Sequence, residues 1–163
     1  MKDQYLQMYE NMITEIGLRR SHTSTNSQWI EDCFQVSLKA CTHLQELADK
    51  NPFADIQDEI WFYKVMKPQF AGQMEYFTLL YMAEVFAPED SSQRINYWNH
   101  ELKRSRDFFS KHESFYQYYK QGHTELDPTW FVRSSSYSDL AATIIAREKY
   151  LDYLKGKIRE SSN

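Results

Sequence analysis

Apolar residues recur along this chain at helical spacing, and alternation of the strand kind is nowhere sustained. Tyr5, Met8, Met12 and Ile16 share one face of a first helix over roughly Asp3 to Leu18. A polar, Ser- and Thr-rich stretch, 19–26, reads as a mobile loop. At its end Thr25 and Gln28 have the spacing of a capping box, which opens a second helix to about Asp49. Ile30, Cys33, Phe34, Cys41, Leu44 and Ala48 form the apolar stripe of that helix, with Leu47 beside it. Asn51-Pro52 reads as a restart, with Asn51 as cap and Pro52 at the first helical position. A seven-residue rhythm follows: Ile56, Ile60, Tyr63, Lys67, Phe70, Met74, Phe77 and Tyr81. Pro68 interrupts it without changing its phase, so a kink is expected there instead of a full break.

Asp90 with Gln93 has a cap's spacing and starts a fourth helix, on which Ile95, Trp98, Leu102, Phe109, Tyr116 and Tyr119 share a face. A local break is expected near Ser110 to His112, and Gly122 is placed to stop the helix. After an irregular aromatic loop over 122–136, Ser136 caps a fifth helix lined by Leu140, Ile144, Leu151, Leu154 and Ile158. The pattern predicts an all-α antiparallel bundle of about five helices, the third kinked at Pro68. Residues 1–160 are expected to form a single domain, with a frayed tail at 161–163.

Composition agrees with helices and narrows the chemistry. Only 4 Gly and 4 Pro stand among 163 residues, too few for a turn-rich sheet protein or for a glycine-rich phosphate loop. Cys33 and Cys41 lie too far apart along one helix to bridge. No apolar run approaches the ~20 residues of a membrane span or forms a signal-peptide core, so a cytoplasmic protein without membrane partners is expected. The net charge of −4 argues against a dedicated nucleic-acid binder. The charge is uneven, with 8 basic and 14 acidic residues in 1–100 against 11 basic and 9 acidic in 101–163.

Catalytic and metal signatures are missing. None of the five histidines stands in a Glu-x-x-His or His-Glu-x-x-His arrangement, the spacings that place two ligands on one helix face. No G-x-S-x-G elbow is present, and Cys33 follows two acidic residues, which oppose a thiolate. No catalytic residue, metal or cofactor is therefore assigned. The aromatic runs are more informative. Trp61-Phe62-Tyr63, Phe108-Phe109 and the run Phe115, Tyr116, Tyr118, Tyr119 put rings on several faces of their helices. The loop bearing Trp130 and Phe131 is expected to cover them. Trp61, Tyr118, Tyr119 and Trp130 are the candidates if some instead meet a partner.

Those runs sit in an order that resembles the RteC family. The resemblance is carried by DEIWFYKVMKPQF (58–70), EYFTLLYMAE (75–84) and RDFFSKHESFYQYYKQGHTELDPTWFVRS (106–134). The matching residues are Asp58, Glu59, Ile60, Phe62, Lys64, Lys67, Pro68 and Phe70, then Phe108, Phe109, Phe115, Tyr116, Tyr118, Tyr119, Leu126, Asp127, Phe131 and Arg133. The likeness extends over roughly 50–160. It implies a regulator of tetracycline-induced excision and transfer of conjugative transposons, acting on transcription of excision genes. It also implies a helical N-terminal region followed by a DNA-binding region of winged-helix type. These 163 residues end where that second region would begin, and no helix-turn-helix pair follows the bundle.

The expectation is thus a helical regulatory domain that serves assembly or signal input, through a regulatory protein partner or self-association. The alternative is direct DNA contact through Lys103, Arg104 and Arg106 on the fourth helix and Arg147, Lys149, Lys155 and Lys157 on the fifth. Lys64 and Lys67, three apart, are expected on one face beside Pro68. Arg133 is expected to pin the aromatic loop by pairing with Glu59 or Glu75.

Overall fold

The computed structural model describes residues 2–22, 27–121 and 135–161, and every regular element among them is helical. Helix α1 (Lys2–His22) and helix α2 (Gln28–Lys50) form a hairpin. Tyr5, Met12 and Ile16 of the first are buried with Ile30, Cys33, Leu44 and Ala48 of the second. The Cys33 thiol donates to the Ile16 carbonyl at 3.6 Å, and the buried Ser37 hydroxyl donates back to the Cys33 carbonyl at 2.9 Å. Thr25 lies outside the described residues, and Ser27, which precedes α2, makes no capping bond with its side chain.

Asn51 closes α2 instead of opening the next helix. Its backbone N–H, at 3.1 Å, and its side-chain amide, at 2.9 Å, both donate to the Leu47 carbonyl, one of the acceptors a helix leaves free at its C-terminus. Pro52 stands in the connection. The cap of helix α3 (Ile56–Trp61) is Asp55, whose carboxylate accepts from the Gln57 N–H at 2.6 Å. A negative side chain suits the positive end of the helix dipole better than an amide does.

Helix α3 does not end before Pro68. It passes through a π-helical turn, Phe62–Met66, into helix α4 (Lys67–Val85). The Lys67 N–H reaches back five residues to the Phe62 carbonyl. Pro68 then falls in the first turn of α4, where its missing N–H costs nothing. The interruption expected as a kink is taken up by this widened turn. No face of the segment is fully exposed: Ile60, Phe62, Lys64, Met66, Pro68 and Phe70 are buried, and the residues between them are half-buried. The seven-residue rhythm is accordingly only half a core stripe. Ile60, Phe70 and Phe77 are buried, whereas Lys67 and Met74 are half-buried and Tyr81 is exposed.

Helix α5 (Ser91–Lys111) opens where expected. The Asp90 carboxylate accepts from the Gln93 N–H at 3.0 Å and the Ser92 hydroxyl at 2.8 Å. His112 leaves helical geometry and separates α5 from helix α6 (Glu113–Lys120). The expected break is therefore present. Helix α7 (Ser135–Ser161) includes Ser136 as its second residue, and Gly122 falls outside the described residues.

Successive long helices alternate in direction, and α4 is the hub, packed between α2 and α7. The Trp98 indole N–H donates to the Ala83 carbonyl at 3.1 Å and ties α5 to α4. Helices α4 and α7, two steps apart in the chain, run the same way: Gly72 meets Ile145, Glu75 accepts from Thr143, and Glu84 accepts from Tyr153. No described helix is long and apolar enough to cross a membrane.

The close approach of α4 to α7 rests on Gly72. A Cβ there would stand 2.8 Å from Ile145 Cγ2 and 3.2 Å from the Ala142 carbonyl oxygen. Ile145 is β-branched and stiff on its helix, so relief requires the helices to part. Gly72→Ala is expected to cost about 1–3 kcal/mol, the usual range for overpacking. Gly156, also helical, has nothing within 4 Å of such a Cβ. Gly156→Ala is expected to stabilise by about 1 kcal/mol through helix propensity. Thermal melting should show midpoints moving in opposite directions; a shift of the same sign in both would refute the tight α4–α7 contact.

Candidate functional site

Burying an ammonium group requires partners that replace water. Lys64, in the π-helical turn, is only 3% exposed. Its Nζ donates to the Tyr118 hydroxyl at 3.3 Å and lies 5.6 Å from the Tyr118 ring and 5.4 Å from the Tyr137 ring. Electron-rich ring faces attract a cation at such distances. The rings are held by one another. Phe115 and Tyr137 meet edge to face at 5.1 Å, and Tyr118 and Tyr137 at 6.5 Å.

These rings belong to a second hydrophobic cluster, separate from the main core. Phe115, Tyr137, Ala141 and Ile144 are its buried members. Phe108, Phe109, Tyr116, Tyr118, Tyr119 and Leu140 pack around them. Helices α6 and α7 thus meet the π-helical turn, with Phe108 and Phe109 of α5 packed into the same cluster. Glu148 of α7 fastens the rim. It accepts from the Tyr116 hydroxyl at 2.8 Å and pairs with Lys120 at 3.0 Å. That bond raises the pKa of Tyr116 and of Lys120. Burial pushes the hydroxyls of Tyr119 and Tyr137 up to about 12.

Lys64 and Lys67 do not share a face, because the widened turn between them breaks the α-helical register. Lys67 is half-buried on the other side, 5.3 Å from the Tyr63 ring. Glu59 is half-buried in the first turn of α3. Trp61 is half-buried, with Lys2 5.3 Å from its ring and Tyr5 packed against it. Tyr118 and Tyr119 are half-buried members of the aromatic end. Asp127, Trp130, Phe131 and Arg133 lie outside the described residues, as does the loop expected to cover the rings. Glu75, one of the two acids considered for Arg133, accepts from the Thr143 hydroxyl at 3.0 and 3.1 Å, and burial raises its pKa.

The basic residues considered for DNA are dispersed. Lys103, Arg106 and Lys155 are exposed. Arg104 pairs with Glu101 at 3.2 Å. Arg147 donates to the Ser105 hydroxyl at 3.0 Å, Lys149 lies 5.9 Å from the Tyr76 ring with its pKa lowered by burial, and Lys157 pairs with Glu84 at 3.5 Å. Cys33 and Cys41 are held up at about 11, chiefly by burial. Among the described residues no three His, Cys, Asp or Glu side chains are grouped to hold a metal ion.

Sequence reasoning missed Tyr137 as the second ring facing Lys64. Its signal was present: Tyr137, Ala141 and Ile144 stand four and three residues apart, which extends the apolar face of α7 one turn back.

The family model described as RteC protein matches residues 61–140. The chain carries an RteC segment. That segment starts one residue before the π-helical turn and ends in the first turns of α7, so it contains Lys64, Tyr118 and Tyr137 together. No curated protein and no solved structure matches the chain.

Two measurements probe this end of the RteC segment. Lys64→Ala removes both the ammonium and the packed stem, with an expected loss of about 2–4 kcal/mol. Lys64→Met keeps the stem and should recover most of that loss. Denaturant unfolding that shows both variants equal to wild type would mean Lys64 is not enclosed. The second is alkaline stability. The Tyr137 pKa is raised from 10.0 to about 12 in the fold. Its contribution is therefore complete below pH 10.0 and declines as pH rises towards about 12, where the unfolded chain has lost a proton the folded one keeps. Tyr137→Phe should make the thermal midpoint fall less steeply over that window. An unchanged slope would count against a buried hydroxyl.

Proposed function

We propose that this chain is a helical regulatory domain of the RteC type, serving assembly or signal input to transcription of the excision genes of a conjugative transposon. The RteC match over 61–140 carries the reading. The function of excision regulator comes from the family resemblance. The role in assembly or signal input is supported by the arrangement of the segment. Its matched residues gather around one enclosed lysine and a cluster of rings, a construction suited to holding helices in a fixed relation. A cytoplasmic setting accords with this role.

Direct contact with DNA is the second reading, favoured by the exposure of Lys103 and Arg106, three residues apart on α5. It is weaker because Arg104, Arg147 and Lys157 are each engaged with side chains of this chain. Real phosphate contacts make affinity fall steeply with salt. Fluorescence anisotropy with excision-gene promoter fragments across a salt series is expected to give weak binding with a shallow slope. A reporter for those genes should nonetheless lose induction when the chain is deleted. Tight, steeply salt-dependent binding that Lys103→Ala and Arg106→Ala weaken would replace the first reading with the second; full induction without the chain would overturn both.

A further inference from the structure

The part of α4 that does not serve the core lies beside a matching strip of α2. Two cavities open along the seam between these helices. One, of about 250 Å³, is lined by Ile30, Glu31, Phe34 and Gln35 of α2 and Phe77, Thr78 and Tyr81 of α4. The other, of about 280 Å³, lies further along, between Leu38, Cys41 and Gln45 of α2 and Lys67, Phe70 and Met74 of α4. Leu38 and Tyr81 are 38% and 37% exposed, high for large apolar groups.

The spacing on both helices has the regularity of a coiled-coil seam. Glu31, Leu38 and Gln45 are seven residues apart, with Phe34 and Cys41 between them. Lys67, Met74 and Tyr81 are likewise seven apart, with Ala71 and Thr78 between. This is the half of the seven-residue rhythm that the core leaves unused. It runs for about 20 Å at the helical rise of 1.5 Å per residue.

Charge decides what the seam fits. Among all the residues lining the two cavities, Glu31 and Lys67 alone are charged, and they stand at opposite ends. Neither enters an ion pair among the described residues. Because α2 and α4 are antiparallel, a two-fold axis through the middle of the seam lays Glu31 of one copy beside Lys67 of another, twice over. Such an interface is isologous, the commonest kind in soluble oligomers. A foreign helix would need its own opposite charges at matching distances, whereas a second copy carries them already.

We infer that the α2–α4 seam is the interface through which two copies of this chain associate, each capping the other's apolar groove and pairing Glu31 with Lys67. This goes beyond the regulatory reading and does not depend on it: the reporter result and the state of association can fail separately.

The test is sedimentation equilibrium of the full chain over a concentration series. The expected species has twice the 19.6 kDa chain mass. Glu31→Lys and Lys67→Glu should each weaken association by about tenfold or more, since each places like charges together at both ends of the seam. The double reversal, E31K with K67E, should restore it. Circular dichroism controls for folding, and Leu38→Asp, on an exposed position, should give a folded monomer. A wild-type monomer at every concentration would overturn the inference and leave the groove to a helix of another protein. A dimer indifferent to all these changes would overturn it as well, by placing the contact elsewhere.

Discussion

Pro68 is the constraint on which the arrangement turns. It sits within a continuous helical rod, where its ring would collide with the carbonyl four residues earlier and its missing N–H would leave an acceptor unpaired. The chain resolves this by opening the preceding turn to π geometry, so that Lys67 bonds to Phe62 and Pro68 becomes an early residue of α4. The solution requires that the widened turn be filled from every side. Tyr5 and Phe53 pack on Phe62, at 5.2 and 5.1 Å, and Tyr118 and Tyr137 meet Lys64. The many rings near this turn are the large, rigid groups that such a filling calls for.

From that point α4 organises the rest. It meets α2 through Phe77 and Trp29, whose rings cross edge to face at 6.4 Å, and α7 through the bare backbone at Gly72. Two largely buried carboxylates, Glu101 of α5 and Glu84 of α4, are each answered from α7. Glu101 accepts from the Tyr150 hydroxyl at 3.2 Å, and Glu84 takes both the Tyr153 hydroxyl and Lys157. A buried carboxylate left alone would cost several kcal/mol, so these bonds fix which residue of α7 stands opposite each turn of its neighbours. Burial and the bond to Glu101 together hold the Tyr150 hydroxyl protonated far above its ordinary range. The register of α7 is thereby specified by hydrogen bonding as well as by shape.

Helix positions and their approximate ends were legible in the sequence because apolar spacing and caps act locally. Asp90 is an example: its cap needs only the next three residues. Assignments that depend on competition between neighbours were less legible. Asn51 and Asp55 are both good caps, and the choice is made by which free backbone groups each can reach. The enclosure of Lys64 could not be read from pattern, because a lysine in an amphipathic stretch normally marks the wet face. Only the π-helical turn brings it inward, and that turn is a response to Pro68 and to rings supplied by α6 and α7, more than 50 residues away. The aromatic order that resembles RteC was visible, yet its physical sense, a set of rings gathered on one turn, required the third dimension.

The same turn links the aromatic end to the α2–α4 seam. Lys64 points into the aromatic end and Lys67 lies along the α2–α4 seam, and only Val65 and Met66 of the π helix stand between them. Reverting that turn to α geometry would remove the extra residue from it. All of α3 would then rotate and shift against α4, dragging Ile60 and Phe62 from their buried sites while Pro68 met the carbonyl it now avoids. The two lysines therefore cannot be rearranged separately at small cost. Whatever fixes the rings around Lys64 also fixes the direction in which Lys67 is presented, so the aromatic end of the RteC segment and the exposed seam of α4 are parts of one rigid construction.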